Sequence, residues 1–418
     1  MPTTPSSPWC EWSACLHRGR ETALGPLAWR AGQTLSLPAA RRRAGPFLGR
    51  QALTLPTSHL APVSWLLEFG CPAIRYRTLT EIVPGSADPA RLDAMRGEID
   101  AYPPARQVAK KQKDTGVWGG NLLGVAANKA AGIKDVGTLH QYRRLVELGW
   151  TQESRPLKLG SRLLFRLVSR DEDPKLLFEF QKYAAAEVGV EPWVREIIRE
   201  ATAAALAQAG FGEDPRVRGA AHRIANEISQ FLRSELVENP LVKSSGSWVL
   251  HPQAYPPTIF SVALLSLLPA VQRERAALVD RLGGYLAQPG VKKAFGVVCG
   301  KKIFKPNFVL LGDPLKVSSA GQADDLPFAL YWMELLARLG VLQHSTSAPR
   351  LWARLLKDCD ERGVWSPKNL RAHPRRKSPW SYHAFPLQEG KTLESRQADV
   401  TFRMALIARL AGWELATT

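Results

Sequence analysis

Apolar residues at helical spacing, each run closed by a glycine, dominate this chain from about residue 65 onward. Leu139, Tyr142, Leu145 and Val146 fall at i, i+3, i+6 and i+7 before Gly149. Phe328, Trp332, Leu335, Leu336 and Leu339 precede Gly340 in the same way, and Val400, Met404, Ile407 and Leu410 precede Gly412. A turn of 3.6 residues puts each set on one helix face, and the glycine supplies the left-handed residue that ends a helix. Helix starts are marked as well: Asp88-Pro89, Asp173-Pro174 and Asp214-Pro215 each place an acidic N-cap before a proline at the first helical position. Alternating strand patterns are scarce. The expectation is an all-α chain built from helix pairs.

A short element recurs between these helices. It reads Asp114-Thr115-Gly116-Val117-Trp118, then Ser244-Ser245-Gly246-Ser247-Trp248, then Glu361-Arg362-Gly363-Val364-Trp365. The glycine permits a turn with positive φ after one helix, and the tryptophan fills the gap between successive pairs. Repetition of one unit predicts either a closed ring or an open solenoid.

Residues at both ends carry a family resemblance. Trp65-Leu66-Leu67-Glu68, Pro72 to Leu79 and Gln112 to Gly120 resemble the opening of bacterial prenyltransferase-like and squalene-cyclase-like proteins. Gly363-Val364-Trp365, Trp380-Ser381-Tyr382-His383, Ala398 to Leu406 and the aromatic helix Pro327 to Trp332 resemble their closing repeat. The resemblance implies an α/α toroid of two concentric helix rings over residues 61–418. The middle, about 155–240, matches less well, and its Asp-Pro starts equally suit an open HEAT-like solenoid.

The chemistry implied by such a fold has to be sought separately. A terpene cyclase of the alkene-protonating class needs a D-x-D-D element with one carboxyl kept protonated. The nearest match, Ala323-Asp324-Asp325-Leu326, lacks the first aspartate. Asp324 and Asp325 are the catalytic candidates, with helix capping as their alternative role. A zinc-dependent prenyltransferase would need an Asp, Cys and His set, and Cys359 with His383 is the nearest approach, although Asp358-Cys359 departs from that family's D-x-C spacing. No cofactor is therefore expected outside that zinc variant. Phe328, Tyr331, Trp332, Trp365, Trp380, Tyr382, His383, Arg375 and Arg376 are the candidates for a cavity or anion site, because aromatic and cationic groups together suit a prenyl diphosphate or a single-stranded nucleic acid.

Two functions follow as expectations. One is a toroid with a central cavity for an apolar or isoprenoid ligand, catalytic only if the incomplete aspartate element suffices. The other is a non-enzymatic helical-repeat protein that uses a basic face for a protein or nucleic-acid partner.

Charge bears on the second. The 418 residues carry a net charge of +18, but the excess is uneven. Residues 1–60 hold seven arginines against two glutamates, and residues 361–380 hold six basic residues against one acid. The first stretch reads as a disordered Arg- and Pro-rich extension, resembling either a transit segment or translated sequence ahead of the true start. Five cysteines without a C-x-x-C pair suggest a reducing, cytoplasmic setting. The longest apolar run, Ile259 to Ala270, is too short to span a bilayer and reads as a buried helix. Phosphate-binding loops, dinucleotide fingerprints and the zincin and serine-hydrolase motifs are absent from the sequence.

Overall fold

A computed structural model describes residues 53–124, 136–169, 190–244, 246–299 and 302–418. The chain is predominantly helical, with short two-stranded sheets among the described residues. In chain order, strand β1 (Ser58–Ala61) leads to α1 (Val63–Phe69) and α2 (Pro72–Arg77), which continues into a π-helical turn at Thr78–Ile82. Helices α3 (Pro89–Ala101), α4 (Pro103–Lys110), α5 (Thr138–Glu147), α6 (Arg155–Val168), α7 (Val190–Gln208) and α8 (Pro215–Phe231) follow. The hairpin β2 (Leu241–Ser244) and β3 (Ser247–Leu250) precedes α9 (Ile259–Ser266), α10 (Pro269–Glu274) and α11 (Ala276–Leu286). A second hairpin, β4 (Val297–Cys299) and β5 (Lys302–Phe304), leads to α12 (Leu326–Arg338), α13 (Ala348–Lys357), α14 (Leu393–Leu410) and β6 (Glu414–Thr417).

The expected boundaries hold where they rest on capping chemistry. Asp88 and Asp214 cap α3 and α8 by accepting the N–H groups of Arg91 and Arg216. Gly149, Gly340 and Gly412 have φ of 93°, 71° and 74° just past α5, α12 and α14. The apolar run splits in two: Thr258 and Ser261 form a capping box that starts α9, and Pro269 opens α10. Asp173-Pro174 lies outside the described residues.

Burial sorts the helices into two kinds. Helices α9, α12 and α14 are buried nearly all round, including the polar Gln397, Asp399 and Arg403 of α14. Helix α13 buries one stripe, Ala348, Leu351, Trp352 and Leu355, and leaves its other face to water. The interior helices touch in succession: α14 packs on α12, α12 on α9, α9 on α7 and α7 on α5, while α14 also packs on α1 and the π-helical turn. Arg77, at the end of α2, reaches the backbone carbonyl of Glu147 at the end of α5 over 3.4 Å.

The two ends of the described chain are joined. β1 pairs in parallel with β6, with Ser58 opposite Glu414 and Ala61 opposite Thr417. This corrects the expected start of order: residues 58–60 belong to a strand, and their pairing partner is some 350 positions downstream, beyond the reach of local pattern reading. Residues 1–52 lie outside the described residues.

The repeated element is real at two of its three expected places. At Gly116 (φ 86°), Lys113 and Val117 close a turn by a 2.9 Å backbone bond, and an added Cβ would lie 2.5 Å from the Leu159 carbonyl oxygen. At Gly363 (φ 85°), Asp360 and Val364 close the same turn at 2.9 Å, and a Cβ would lie 2.5 Å from the Leu60 carbonyl oxygen. Trp118 and Trp365 are both buried behind these turns. The Gly246 element differs. It is the tip of the β2–β3 hairpin, with nothing near its would-be Cβ, and Trp248 packs instead under Lys293, whose Nζ is 4.1 Å from the ring centroid.

The true third copy lies at Val317 to Ala323. Ser318 and Gln322 close the turn at 2.9 Å, Gly321 has φ of 80°, and a Cβ there would lie 2.6 Å from the Arg350 carbonyl oxygen. The bridge Val317–Ala323 matches the bridge Cys359–Trp365. Ala323 stands where the other copies have tryptophan, which is why a search keyed on tryptophan misses it.

Candidate functional site

Charged residues at helical spacing give four of the interior elements a polar edge. Arg77 and Glu81 are four apart along α2 and the π-helical turn. Arg143, Val146 and Glu147 share one face of α5. Tyr331, Glu334, Leu335 and Arg338 share one face of α12. Asp399 and Arg403 are four apart on α14. Spacings of three and four put side chains next to one another on a helix. These edges meet around one cavity of about 270 Å³, which Gln208 of α7, Leu267 after α9 and Tyr382 also line.

The charges around this cavity are tied into a buried network. Arg403, 1% exposed, donates Nε to Asp399 at 3.0 Å and lies 3.9 Å from Glu147 and 3.8 Å from Glu334. Its guanidinium carbon sits 3.5 Å above the centroid of the Tyr382 ring. The Tyr382 hydroxyl donates to Glu334 at 2.9 Å, and Arg338 Nε donates to the other oxygen of Glu334 at 3.0 Å. Arg77 clamps Glu81 with two bonds, of 2.5 and 2.9 Å. Burial alone would raise the Glu81 carboxyl, but the charge and hydrogen bonds of Arg77, with Arg338 and Arg403, hold it below its usual range.

Glu147 fixes the loop that follows α13. One carboxylate oxygen accepts the backbone N–H of His383 at 3.0 Å and faces His383 Nδ1 at 3.2 Å; the other accepts the N–H of Ala384 at 2.8 Å. Burial works against its charge, but His383, Arg403 and the Ala384 N–H outweigh that and hold the carboxyl well down. Burial and the nearby Arg143 guanidinium push His383 to about 4, so the ring is neutral at neutral pH. An ionised carboxylate only accepts, so His383 Nδ1 carries the proton. His140 packs on the same ring, centroids 4.9 Å apart, and is pushed far down chiefly by burial.

Arg143 is the exception in this network. It is 4% exposed, yet its partners are neutral: Nε donates to Gln208 Oε1 at 2.5 Å and one terminal nitrogen donates to the Tyr331 hydroxyl at 3.2 Å. The other lining arginines each have a carboxylate at 3.0 Å or less.

Of the residues singled out from sequence, Tyr331 and Tyr382 line the cavity and His383 braces its wall. Trp332 and Trp365 are core side chains, and Trp380 packs edge-on to Phe260 with centroids 5.0 Å apart. Phe328 is half-buried and packs against the core. Arg375 is exposed, while Arg376 donates to the Tyr382 carbonyl oxygen at 2.7 Å and so holds that loop in place. Of Phe328, Tyr331, Trp332, Trp365 and Trp380, Tyr331 alone lines this cavity, and the others pack in the core.

Asp324 and Asp325 sit away from the cavity lining. Asp325 caps α12 by accepting from Phe328 N at 3.1 Å, and it also accepts the N–H groups of Lys377 and Ser378 at 2.9 and 2.5 Å. Asp324 is exposed and pairs with the Lys377 ammonium, which lowers its carboxyl pKa. Cys359 donates Sγ to the Leu355 carbonyl at 3.4 Å; burial and the neighbouring aspartates push the thiol up to about 12, keeping it protonated. Among the described residues no three His, Cys, Asp or Glu side chains are grouped to hold a metal ion, and His383 is committed to Glu147.

Sequence reading passed over Arg77, Glu81, Arg143, Glu147, Glu334, Arg338 and Arg403. The signal that could have found them is a pair of charges four apart on a helix whose other faces are apolar: such charges must face one another or a cavity. No family model matches the chain, and neither a curated protein nor a solved structure is detectably similar to it. No helix among the described residues is long and apolar enough to cross a membrane.

Proposed function

We propose that the chain is an α/α toroid, similar in plan to the prenyltransferase and squalene-cyclase families, that holds a small polar ligand at its centre. One observation carries this reading: side chains from α2, α5, α7, α12 and α14, more than 300 positions apart in sequence, meet at one charged cavity. Three further features support a ring. The interior helices α5, α7, α9, α12 and α14 touch in succession, and α14 packs on α1 and the π-helical turn. The N- and C-terminal strands pair. The glycine turn at Gly363 presses on Leu60 of β1, some 300 positions upstream.

The lining favours a polar ligand over an isoprenoid one. A hydrocarbon chain would cover ionised groups without replacing the hydration they lose. Alkene protonation is also poorly served, since Glu81 and Glu147 are held ionised and neither can act as a proton donor. The test is native mass spectrometry of gently purified protein, repeated with Leu267→Trp to fill the cavity. A small polar mass retained by the wild type and lost from the variant supports the reading. Equal retention by both, or an isoprenoid mass, overturns it.

A second reading, a basic face for nucleic acid, rests on Trp248 flanked by Lys243 and Lys293, with Nζ atoms 5.5 and 4.1 Å from its ring centroid. Residues 281–312 contain no acid. Binding to single-stranded DNA that falls steeply with added salt supports this reading, and no binding at low salt removes it.

A further inference from the structure

Arg143 is a buried cation with neutral partners, placed on the wall of a cavity. Placing a guanidinium in the interior is costly unless an anion and hydrogen-bond acceptors meet it there. The protein supplies the acceptors, Gln208 Oε1 and the Tyr331 oxygen, but no carboxylate within 4.0 Å among the described residues. Arg77, Arg338 and Arg403 each have one. The missing member of the network is therefore an anion, and the cavity is where it would sit.

Resting on the central-cavity reading, we infer that Arg143 is the seat for the carboxylate of a small monoanionic ligand. Three properties of the site narrow the class. A planar guanidinium presents parallel N–H groups that match a carboxylate edge. Glu147 and Glu334 line the same cavity and repel a second negative charge, which disfavours a phosphate dianion or a diphosphate. The volume of about 270 Å³ limits the ligand to a small molecule. Leu267, Val146 and Leu335 form the apolar part of the lining, which suits the carbon skeleton of a short organic acid.

The test uses propionate against propionamide, which have the same shape with and without the charge. Each is titrated into the full chain at constant ionic strength set with chloride, and thermal unfolding is followed, with inorganic phosphate as a third arm. Propionate should raise Tm in a saturable way, propionamide should not, and phosphate should be the weaker anion. Arg143→Met should abolish the propionate effect, and without ligand it should unfold at or above the wild-type temperature, because it removes an uncompensated charge. Equal shifts from acid and amide, a phosphate effect larger than that of propionate, or a propionate effect that survives Arg143→Met would each overturn the inference. So would a variant that folds but melts below the wild type. If the variant does not fold, titration calorimetry on the wild type still decides, since propionate without measurable heat of binding overturns the assignment. A retained mass that is neutral, and lost on Leu267→Trp, sinks the anion seat while leaving the central cavity standing.

Discussion

The hydroxyl oxygen of Thr401, on the largely buried helix α14, accepts the backbone N–H of Trp365 at 3.1 Å. The same relation recurs at the other end of the chain, where Thr138 Oγ1 accepts the N–H of Trp118 at 3.0 Å. A glycine turn puts the tryptophan between two helices, and a threonine of an interior helix satisfies the backbone group that the turn leaves open. Thr401→Val keeps the shape and removes the acceptor. It should cost about 1–3 kcal/mol in urea unfolding, the usual penalty for a buried unpaired N–H, while Thr401→Ser should recover most of it.

Gly363 and Gly340 both have positive φ, but only Gly363 meets another segment. Gly340→Ala should cost about 1–2 kcal/mol for the left-handed conformation alone. Gly363→Ala adds a Cβ 2.5 Å from the Leu60 carbonyl oxygen and has to displace β1. Limited proteolysis should therefore cut near residues 53–61 in Gly363→Ala and leave Gly340→Ala intact. Equal protection in the two variants would show that the turn does not hold β1.

Arg403 compensates three carboxylates at once. Arg403→Met should lower stability by about 3–5 kcal/mol, since it strands buried charges rather than removing a pair. Adding Asp399→Leu should restore part of the loss. The double variant should not be less stable than the single one, and denaturant unfolding of the two proteins compares them directly.

Glu200 on α7 gives a pH dependence with a definite sign. It is fully buried, accepts the Tyr255 hydroxyl at 2.6 Å and also bonds Thr258; burial pushes its carboxyl up to about 7. A folded pKa above the unfolded value means that the folded state holds the proton more tightly, so this contribution is full below about 4.5 and is lost as pH rises through about 7. Glu200→Gln mimics the protonated form. Relative to wild type it should be near neutral at pH 5 and more stable by about 3 kcal/mol at pH 8.5. His383 works in the opposite direction, because a folded value near 4 makes its contribution full above about 6.5 and lost on acidification toward 4. The difference between wild type and variant isolates Glu200 from this background.

Helix class was legible because it depends on local rules. Asp214 before Pro215 and glycine after the apolar run at Phe328 to Leu339 act within one turn, and the sequence shows both halves of each signal. The cavity was not legible, because Arg77, Arg143 and Arg403 become neighbours only after the interior helices pack, and each alone looks like a surface arginine. The copy at Gly321 was hidden for a different reason. Its backbone geometry is preserved while the tryptophan that marks the motif is replaced by Ala323.

The pairing of β1 with β6 also sets an order in time. β1 emerges from the ribosome with no strand to pair with until residues 414–417 have been made, some 350 residues later. At about 5–20 residues per second that interval is on the order of 20 to 70 s. Throughout it the backbone groups of Ser58 to Ala61 lack their sheet partner, and the carbonyl of Leu60 lacks the Gly363 turn that covers it in the finished molecule. The nascent chain thus carries an unpaired edge strand, and that edge is where a neighbouring copy or a chaperone would first engage it.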